Sequence, residues 1–334
     1  MDVPTASSPG VAAPPPPSRW LVVQEIGRGG HGVVYHALDT LVGREVALKT
    51  SADRNHERGS ARLRHEAQLL GRVSDPNVVT LYDLVHRADG VALAMELVDG
   101  PSLDSLVPQR LTAAEIIALG RQLASGVQGL HRAGIVHGDI KPSNLRLSSN
   151  GVLKILDLGI ARDAGEARQS PDLGRPMSSG TRAYMAPELR AGNAPSVLSD
   201  VWSVGTVLFE LATGTRWCDE PRSNEDSRSE QRLTTRLGQR LGCQLDESSR
   251  HRRRIDVPAL AEIIERALAT SANARFESAK ALGDALARIV PVSAPRSATD
   301  CPRGDRPRIT RNAAPPSKWR RRASVPLSAD ATAP

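Results

Sequence analysis

Three polar residues in one short segment, residues 137–144, have the types and spacing that phosphoryl-transfer chemistry requires. Asp139 and Asn144 are five positions apart, and Lys141 lies between them. A carboxylate can accept the proton of an attacking hydroxyl, and an amide oxygen can hold a cation. An ammonium can steady a transferring phosphoryl group, whose charge is spread over its oxygens. The segment therefore predicts a catalytic loop rather than a polar loop with a capping aspartate.

Three more charged residues are placed by regular elements around this loop. Asp157 directly follows an apolar strand, where a carboxylate can bind Mg²⁺. Lys49 ends another apolar strand, and Glu66 follows 17 residues later on an amphipathic helix predicted over residues 58–73. A Lys–Glu pair between strand and helix can fix an ammonium against nucleotide phosphates. Glu57 is a weaker partner because it lies in a polar run before the helix.

A glycine cluster precedes these residues, with Gly27, Gly29 and Gly32 in the pattern G-x-G-x-x-G. In a dinucleotide-binding turn this pattern joins a strand to a helix, but here residues 20–26 and 33–38 are both strand-like. A loop between two strands suits a flap over phosphates, because glycine lets the backbone approach them and offer N–H donors. Taken alone, the pattern also fits an ordinary glycine hairpin.

The predicted elements fall into two groups. The first is a mainly antiparallel sheet with one inserted helix, and its last strands are predicted over residues 78–86 and 91–98. Beyond residue 100 the pattern becomes mostly helical, with helices predicted over residues 113–133, 200–213, 260–269 and 278–289. The sequence therefore predicts a small β-rich lobe followed by a larger α-rich lobe.

In order and spacing, these motifs resemble the signature set of the protein kinases. The resemblance includes Ala186-Pro187-Glu188 and Arg275, the late arginine that pairs with this glutamate in the family. The similarity is closest to the eukaryotic-like serine/threonine kinases of bacteria. It implies an α+β, bilobal protein-kinase fold, with a small β-rich N-lobe containing one helix and a larger α-helical C-lobe.

The resemblance, which covers residues 19–290, also implies a domain organisation. The N-lobe is expected over residues 19–98 and the C-lobe over residues 99–290. A disordered Pro-rich leader is expected at residues 1–18, and a disordered basic tail at residues 291–334.

Each matched residue takes a role from this resemblance. Asp139 is the catalytic base or the group that orients the hydroxyl, and Lys141 assists the γ-phosphate. Asn144 and Asp157 ligate Mg²⁺, with Mn²⁺ as an alternative. The residues implied in binding ATP are Ile26, Gly27, Gly29, Gly32, Val34, Ala47, Lys49, Glu66, Met95, Glu96 and Val98.

The implied function is transfer of the γ-phosphoryl group of ATP to serine or threonine hydroxyls of protein substrates, in signalling. The substrates themselves are unidentified, and Lys141 followed by Pro142 favours these hydroxyls over that of tyrosine. Two alternatives stay open. One is a pseudokinase scaffold that binds nucleotide or partners without turnover. The other is a small-molecule phosphotransferase of the same fold, whose His-Gly-Asp pattern residues 137–139 also match.

Two positions depart from the family pattern. Gly138 stands where an arginine usually precedes the catalytic aspartate, and that arginine commonly reads a phosphate on the activation loop. We therefore expect most activity to survive the loss of three loop serines, namely Ser170, Ser178 and Ser179. Leu158 stands where phenylalanine is usual, and we expect a small effect because leucine can fill the same packing position.

Bulk composition excludes several other classes of function. The chain has 334 residues and a net charge of +7, with basic clusters at residues 252–254 and 320–322 beside the expected core. Aromatic residues make up only 3%, so nucleic-acid binding is not expected. No apolar stretch is long enough to predict a membrane span. Three widely spaced cysteines indicate a reducing, cytoplasmic environment.

Two regions carry looser predictions. Residues 219–254 are rich in Arg, Ser and Glu, and fit either a solvated loop or a docking site for one partner. In the tail, Ser324 follows a pair of arginines. Autophosphorylation at Ser324 and an incidental serine in a basic tail both remain open.

Overall fold

The computed structural model describes residues 19–29, 32–53, 55–87, 90–109, 111–159, 161–163, 182–217 and 257–289. Within them, a β-rich lobe precedes a helical lobe, as the sequence predicted. The expectations for four regions lie outside the described residues: the leader at 1–18, the three loop serines within 164–181, the polar stretch 219–254, and the tail with Ser324.

The first lobe is built on a five-stranded antiparallel sheet with strand order β1-β2-β3-β5-β4. Its strands are β1 (Trp20–Gly29), β2 (Gly32–Asp39), β3 (Arg44–Thr50), β4 (Leu81–Arg87) and β5 (Gly90–Glu96). In β3, Val46 and Leu48 pack into a small apolar cluster on one face. Because side chains alternate along a strand, Ala47 and Lys49 lie on the opposite face.

Helix α1 (His56–Leu70) packs against this sheet. The side chain of Asn55 caps its start by accepting a hydrogen bond from the backbone N–H of Arg58. Leu63 and Leu70 are buried in the main core together with Leu93 of β5. This packing turns the same helix face, which also carries Glu66, towards the sheet.

The second lobe is helical. Its helices are α2 (Leu103–Leu106), α3 (Ala113–Arg132), α4 (Pro187–Arg190), α5 (Val197–Thr213), α6 (Val257–Ala267) and α7 (Ala279–Ile289). Residues 199–212 of α5 are all buried, which makes α5 the central helix of this lobe. A Cβ atom on Gly120 of α3 would lie 2.7 Å from Leu208 and 2.9 Å from Leu286, so α3 packs closely against these two leucines at Gly120.

The second lobe also contains two short strand pairs: β6 (Ile135–Val136) with β9 (Arg162–Asp163), and β7 (Leu145–Leu147) with β8 (Leu153–Ile155). They correct one prediction, because the strand expected over residues 78–86 begins only at Leu81. The N–H of Val79 instead donates to the carbonyl of Ile155 at 2.9 Å, so this part of the chain pairs with β8.

None of the helices in the described part of the chain has the length and apolar composition that a membrane crossing requires.

Candidate active site

Asp200 of the buried helix α5 anchors the loop that follows β6. Its carboxylate accepts hydrogen bonds from the backbone N–H groups of His137 and Gly138, both at 2.9 Å. The same carboxylate lies 2.8 Å from Nε2 of His131. Gly138 has a φ of 74°, a left-handed conformation that glycine adopts at no steric cost. These contacts fix the backbone immediately before Asp139.

The carboxylate of Asp139 is held at one oxygen only. Lys141 Nζ donates to Oδ2 at 2.7 Å, and Asn144 Nδ2 donates to the same oxygen at 3.1 Å. The other oxygen, Oδ1, is buried and has no hydrogen-bond partner among the residues that the structure describes. A carboxylate oriented in this way is suited to accept the proton of a hydroxyl group.

Lys49 lies between two carboxylates that come from distant parts of the chain. Its Nζ donates to both oxygens of Glu66 at 2.7 Å and to Oδ1 of Asp157 at 2.9 Å. The side chains of Lys49 and Glu66 are only 6% and 3% exposed. The structure therefore brings together the pair expected from the 17-residue spacing, and it adds Asp157 to that pair.

The charges of this cluster shift each other's protonation. Burial alone would lower the pKa of Lys49, but the charges of Asp157 and Glu66 outweigh burial and raise that pKa above its ordinary value. Burial raises the pKa of Glu66, although the charge of Lys49 opposes the change. With both carboxylates ionised the cluster has one negative charge in excess, and a neighbouring cation would balance it.

Asn144 and Asp157, the expected metal ligands, are connected through the backbone. The N–H of Leu156 donates to the carbonyl oxygen of Asn144 at 3.0 Å. The side-chain amide of Asn144 donates to the carbonyl of Asp139 at 2.9 Å, which orients the amide. An amide oxygen and a carboxylate are hard donors of the kind that Mg²⁺ prefers, so the residues fit such an ion. No group of three or more His, Cys, Asp or Glu side chains forms a metal site within the described residues.

The glycine-rich segment joins β1 to β2, as predicted for a loop between two strands. Ile26, Gly27 and Gly29 lie at the end of β1, and Gly32 opens β2. A Cβ atom on Gly32 would lie 2.2 Å from the carbonyl oxygen of Thr50, so only glycine fits at this position. The close approach of the two backbones fixes the base of the loop next to the end of β3.

Apolar residues adjoin the ammonium of Lys49. In the sheet register, Val34 lies opposite Lys49, and Ala47 lies opposite Met95. Ala47, Met95 and Val98 are buried. Ala47 shares a sheet face with Lys49, so an apolar surface suited to a flat base lies beside a group suited to phosphates.

Two basic side chains of the β7–β8 hairpin contact the end of β5 and the segment that follows it, and no sequence pattern indicated these contacts. Lys154 Nζ donates to Oε2 of Glu96 at 2.8 Å, and the N–H of Thr80 donates to the same oxygen at 3.2 Å. Arg146 Nη1 donates to the carbonyl of Val98 at 3.4 Å. The carboxylate of Glu96 is thus occupied by Lys154 of the second lobe. Only the backbone of Glu96 is then available to contact a nucleotide.

The pair expected from the Ala-Pro-Glu segment is present. Arg275 donates to both carboxylate oxygens of Glu188, at 2.7 and 2.8 Å. Burial alone would raise the pKa of Glu188, but Arg275 outweighs burial and holds that pKa below its ordinary value. Nearby, Tyr184 Oη donates to Glu210 at 2.5 Å. Leu158, the second departure from the family pattern, is 1% exposed within the main core.

Comparison with known proteins agrees with this geometry. The family described as the protein kinase domain matches residues 20–286. The chain is 38% identical over 202 residues to the serine/threonine-protein kinase PknL of Mycobacterium tuberculosis, which covers 59% of this chain and 50% of PknL.

Two further relatives give similar values. The chain is 38% identical over 201 residues to the probable serine/threonine-protein kinase SCO3848 of Streptomyces coelicolor, covering 56% of this chain and 29% of the relative. It is 35% identical over 201 residues to the probable serine/threonine-protein kinase PknB of Lactococcus lactis, covering 59% and 32%. The matches thus span half or less of these relatives' lengths. The resemblance predicted from the motifs is confirmed.

Proposed function

The chain belongs to the protein kinase family, and from this premise we propose that it is an ATP-dependent serine/threonine protein kinase. It transfers the γ-phosphoryl group of ATP to serine or threonine hydroxyls of protein substrates. The names of the relatives support this acceptor class, as does Pro142 after Lys141. From the three widely spaced cysteines we also infer a cytoplasmic location.

The Asp139 carboxylate is the observation that carries this proposal. Lys141 and Asn144 hold Oδ2, while Oδ1 is buried and has no partner among the described residues. As the hydroxyl oxygen of the substrate attacks the γ-phosphorus, Oδ1 accepts the hydroxyl proton and ADP leaves. Lys141 then lies within reach of the phosphoryl oxygens because it is bonded to the same carboxylate.

The remaining residues position and neutralise the phosphates. Lys49, held by Glu66, contacts the α- and β-phosphates, and the glycine-rich loop covers them. A divalent cation, which we propose to be Mg²⁺, neutralises phosphate charge when it is bound, and Asn144 and Asp157 supply oxygen ligands to it. Catalysis then rests on positioning and charge rather than on covalent chemistry of the protein.

The test is transfer of ³²P from labelled ATP, with Mg²⁺, to the chain itself and to a generic basic protein. We expect Asp139→Asn to lower the transfer rate by about 10²- to 10⁴-fold, as the loss of a general base does. ATP affinity, measured by calorimetry, is expected to stay close to wild type because Asp139 is assigned to the acceptor hydroxyl and not to the nucleotide. Phosphoamino-acid analysis identifies the acceptor hydroxyl, and we expect phosphoserine or phosphothreonine.

Each other outcome favours a different function. ATP binding without transfer by the wild-type chain favours a scaffold that does not turn over. Transfer to an aminoglycoside but not to protein favours a small-molecule phosphotransferase. Near-normal transfer by Asp139→Asn refutes the assignment of the base.

A further inference from the structure

Arg72 directly follows α1 and is bonded into the last turn of that helix. Its backbone N–H donates to the carbonyl of Leu69 at 3.1 Å, and the N–H of Gly71 donates to the carbonyl of Ala67 at 2.9 Å. These bonds continue the helical pattern beyond Leu70, so a force on the Arg72 backbone is transmitted to α1.

The guanidinium of Arg72 contacts two other elements at once. Nη1 donates to Oδ1 of Asp163 in β9 at 2.5 Å, and Nη2 donates to the carbonyl of Ala133 at 2.6 Å. A Cβ atom on Gly134 would lie 3.5 Å from Nη2, so the guanidinium lies close to the backbone of this turn. The planar fork of arginine suits two acceptors that come from different segments.

Both acceptors belong to the elements that flank the catalytic loop, namely the end of α3 and the β6–β9 strand pair. We call these elements the frame of the catalytic loop. Asp163 is paired with Ile135 of β6, and β6 runs directly into the loop that contains Asp139. Ala133 is the C-cap residue directly after α3, two positions before β6. A second, weaker contact joins the same parts, because His65 Nε2 of α1 lies 3.4 Å from the carbonyl of Ala161.

We propose that Arg72 is a positioning residue for phosphoryl transfer. With Asp163 and the Ala133 carbonyl it forms a brace that holds the end of α1 on the frame of the catalytic loop. Glu66 lies six residues earlier, roughly 9 Å along a helix with a rise of 1.5 Å per residue. By fixing the end of α1, the brace keeps Glu66 against Lys49.

A purely structural role would have a different signature. The side chains of Arg72 and Asp163 are 44% and 37% exposed. Ion pairs with this exposure contribute little to the free energy of unfolding, because solvent screens them. Loss of the brace should therefore leave stability almost unchanged while it alters α1 and the reaction rate.

The kinetic test is a double-mutant cycle between Arg72→Gln and Glu66→Gln, and it rests on the proposed kinase activity. We expect Arg72→Gln to lower kcat by about tenfold, well within the hundredfold that a misplacement of 1 Å can cost. In the Glu66→Gln background the same change should cost less than about twofold, because Arg72 acts through Glu66. Arg72→Lys, which keeps the charge, should recover part of the loss.

The structural test does not depend on activity. Hydrogen exchange of the full chain, followed by mass spectrometry, should show faster exchange over residues 56–70 in Arg72→Gln than in wild type. Lys280→Gln is the matched control, because Lys280 forms an exposed ion pair with Asp284 on α7, outside the site. It should change neither exchange in α1 nor kcat.

The outcomes separate this proposal from the proposed function. If the wild-type chain transfers no phosphate but exchange in α1 rises in Arg72→Gln, the brace stands and the kinase assignment fails. If wild type is active and the effects of Arg72→Gln and Glu66→Gln multiply, the brace is refuted. Unchanged exchange in α1 also refutes it. If Glu66→Gln does not fold, Arg72→Gln alone decides through exchange and the recovery by Arg72→Lys.

Discussion

Two lysines of the proposed active site are both paired with carboxylates, but they are held in different ways. Lys49 contacts Glu66, 17 residues away on α1, and Asp157, 108 residues away. Lys141 contacts Asp139, only two residues away. The Lys49 side chain is 6% exposed and the Lys141 side chain is 17% exposed. Lys49 is thus paired with carboxylates from both lobes, whereas Lys141 is paired with a carboxylate of its own loop.

The two lysines therefore differ in what must be folded before each is correctly placed. Lys141 and Asp139 lie on one loop, whose backbone Asp200 anchors. The contacts of Lys49 form only when β3, α1 and the segment after β8 are packed together, because each of these three elements supplies one residue of the cluster. The contacts of Lys49 are lost when α1 moves, so a change in the position of α1 is the most effective way to control activity. The proposed brace at Arg72 acts on that part of the site.

The largest expected effects come from replacing each lysine by methionine, which keeps an apolar stem of similar length. We expect Lys49→Met and Lys141→Met each to lower kcat by about 10²- to 10³-fold, as the loss of one preorganised charge does. Steady-state kinetics at saturating ATP measures this effect. Activity within about tenfold of wild type in either variant contradicts the role assigned to that lysine.

Stability should distinguish the same two variants. Lys49→Met leaves the carboxylates of Glu66 and Asp157 without their shared cation, and removing one partner of a buried ion pair costs about 3–5 kcal/mol. Lys141→Met should cost about 1 kcal/mol or less, because the carboxylate of Asp139 keeps an amide donor. Urea unfolding measures both values, and equal losses would remove the distinction between the two lysines.

The cost of Lys49→Met also has a defined pH dependence. Burial raises the pKa of Glu66 above its ordinary value of 4.5, and removing Lys49 raises it further. A carboxyl whose pKa is raised by folding binds its proton more tightly in the folded state, so stability falls as pH rises above 4.5. The deficit of Lys49→Met relative to wild type should therefore be larger at about pH 8 than at about pH 5.

The comparison also explains how much could be predicted from sequence. The contacts among Asp139, Lys141 and Asn144 were predictable because these residues are close in sequence and need only local geometry. The Lys49–Glu66 pair was predictable as well, because a strand followed by a packed helix brings a lysine and a glutamate at this spacing together. The bilobal fold followed from the change in hydrophobic period after residue 100.

Other contacts could not be predicted, since they join segments whose separation no local pattern encodes. A strand was expected to begin at Val78, but Val79 pairs with Ile155, far along the chain. Likewise, a lysine between two apolar residues of β8 shows that position 154 is polar, but not that Glu96 faces it. Such pairings depend on how the two lobes pack against each other. That packing results from the fold as a whole and is not encoded in any short segment of the sequence.

The Glu188–Arg275 pair extends the comparison to a long-range pair away from the phosphates. We expect Glu188→Gln to destabilise the fold by about 2 kcal/mol. This is less than the cost of Lys49→Met, because the buried Arg275 keeps the carbonyls of Ala269, Leu198 and Thr270 as acceptors. Urea unfolding at neutral pH measures the loss.

The pH dependence provides the control for this prediction. Arg275 holds the pKa of Glu188 below its ordinary value of 4.5, so the pair contributes fully above that pH and loses its contribution as pH falls through the lowered pKa. The difference between wild type and Glu188→Gln should accordingly shrink on acidification. A difference that stays constant below 4.5 would mean that the carboxylate charge is not what stabilises Arg275.

The smallest expected effect concerns residues 96–98, the segment between the two lobes, which we call the hinge. There a long-range pair, Lys154 with Glu96, positions backbone rather than a reacting group. Lys154→Met removes the cation that holds the Glu96 carboxylate, and the hinge backbone gains freedom that nucleotide binding must then restrict. We expect KM for ATP to rise about three- to fivefold, equivalent to about 0.6–1 kcal/mol. kcat should change by less than about twofold, because uniform binding is lost and transition-state contacts are kept.

Lys154→Arg is the matched control, since it keeps the charge and should hold KM near the wild-type value. An effect on KM alone distinguishes Lys154→Met from Lys49→Met and Lys141→Met, which are expected to lower kcat. An unchanged KM in Lys154→Met would mean that the backbone bond between Glu96 and Thr80, at 2.9 Å, positions the hinge unaided. In that case the backbone contact with Thr80, and not the side chain of Lys154, would position the hinge.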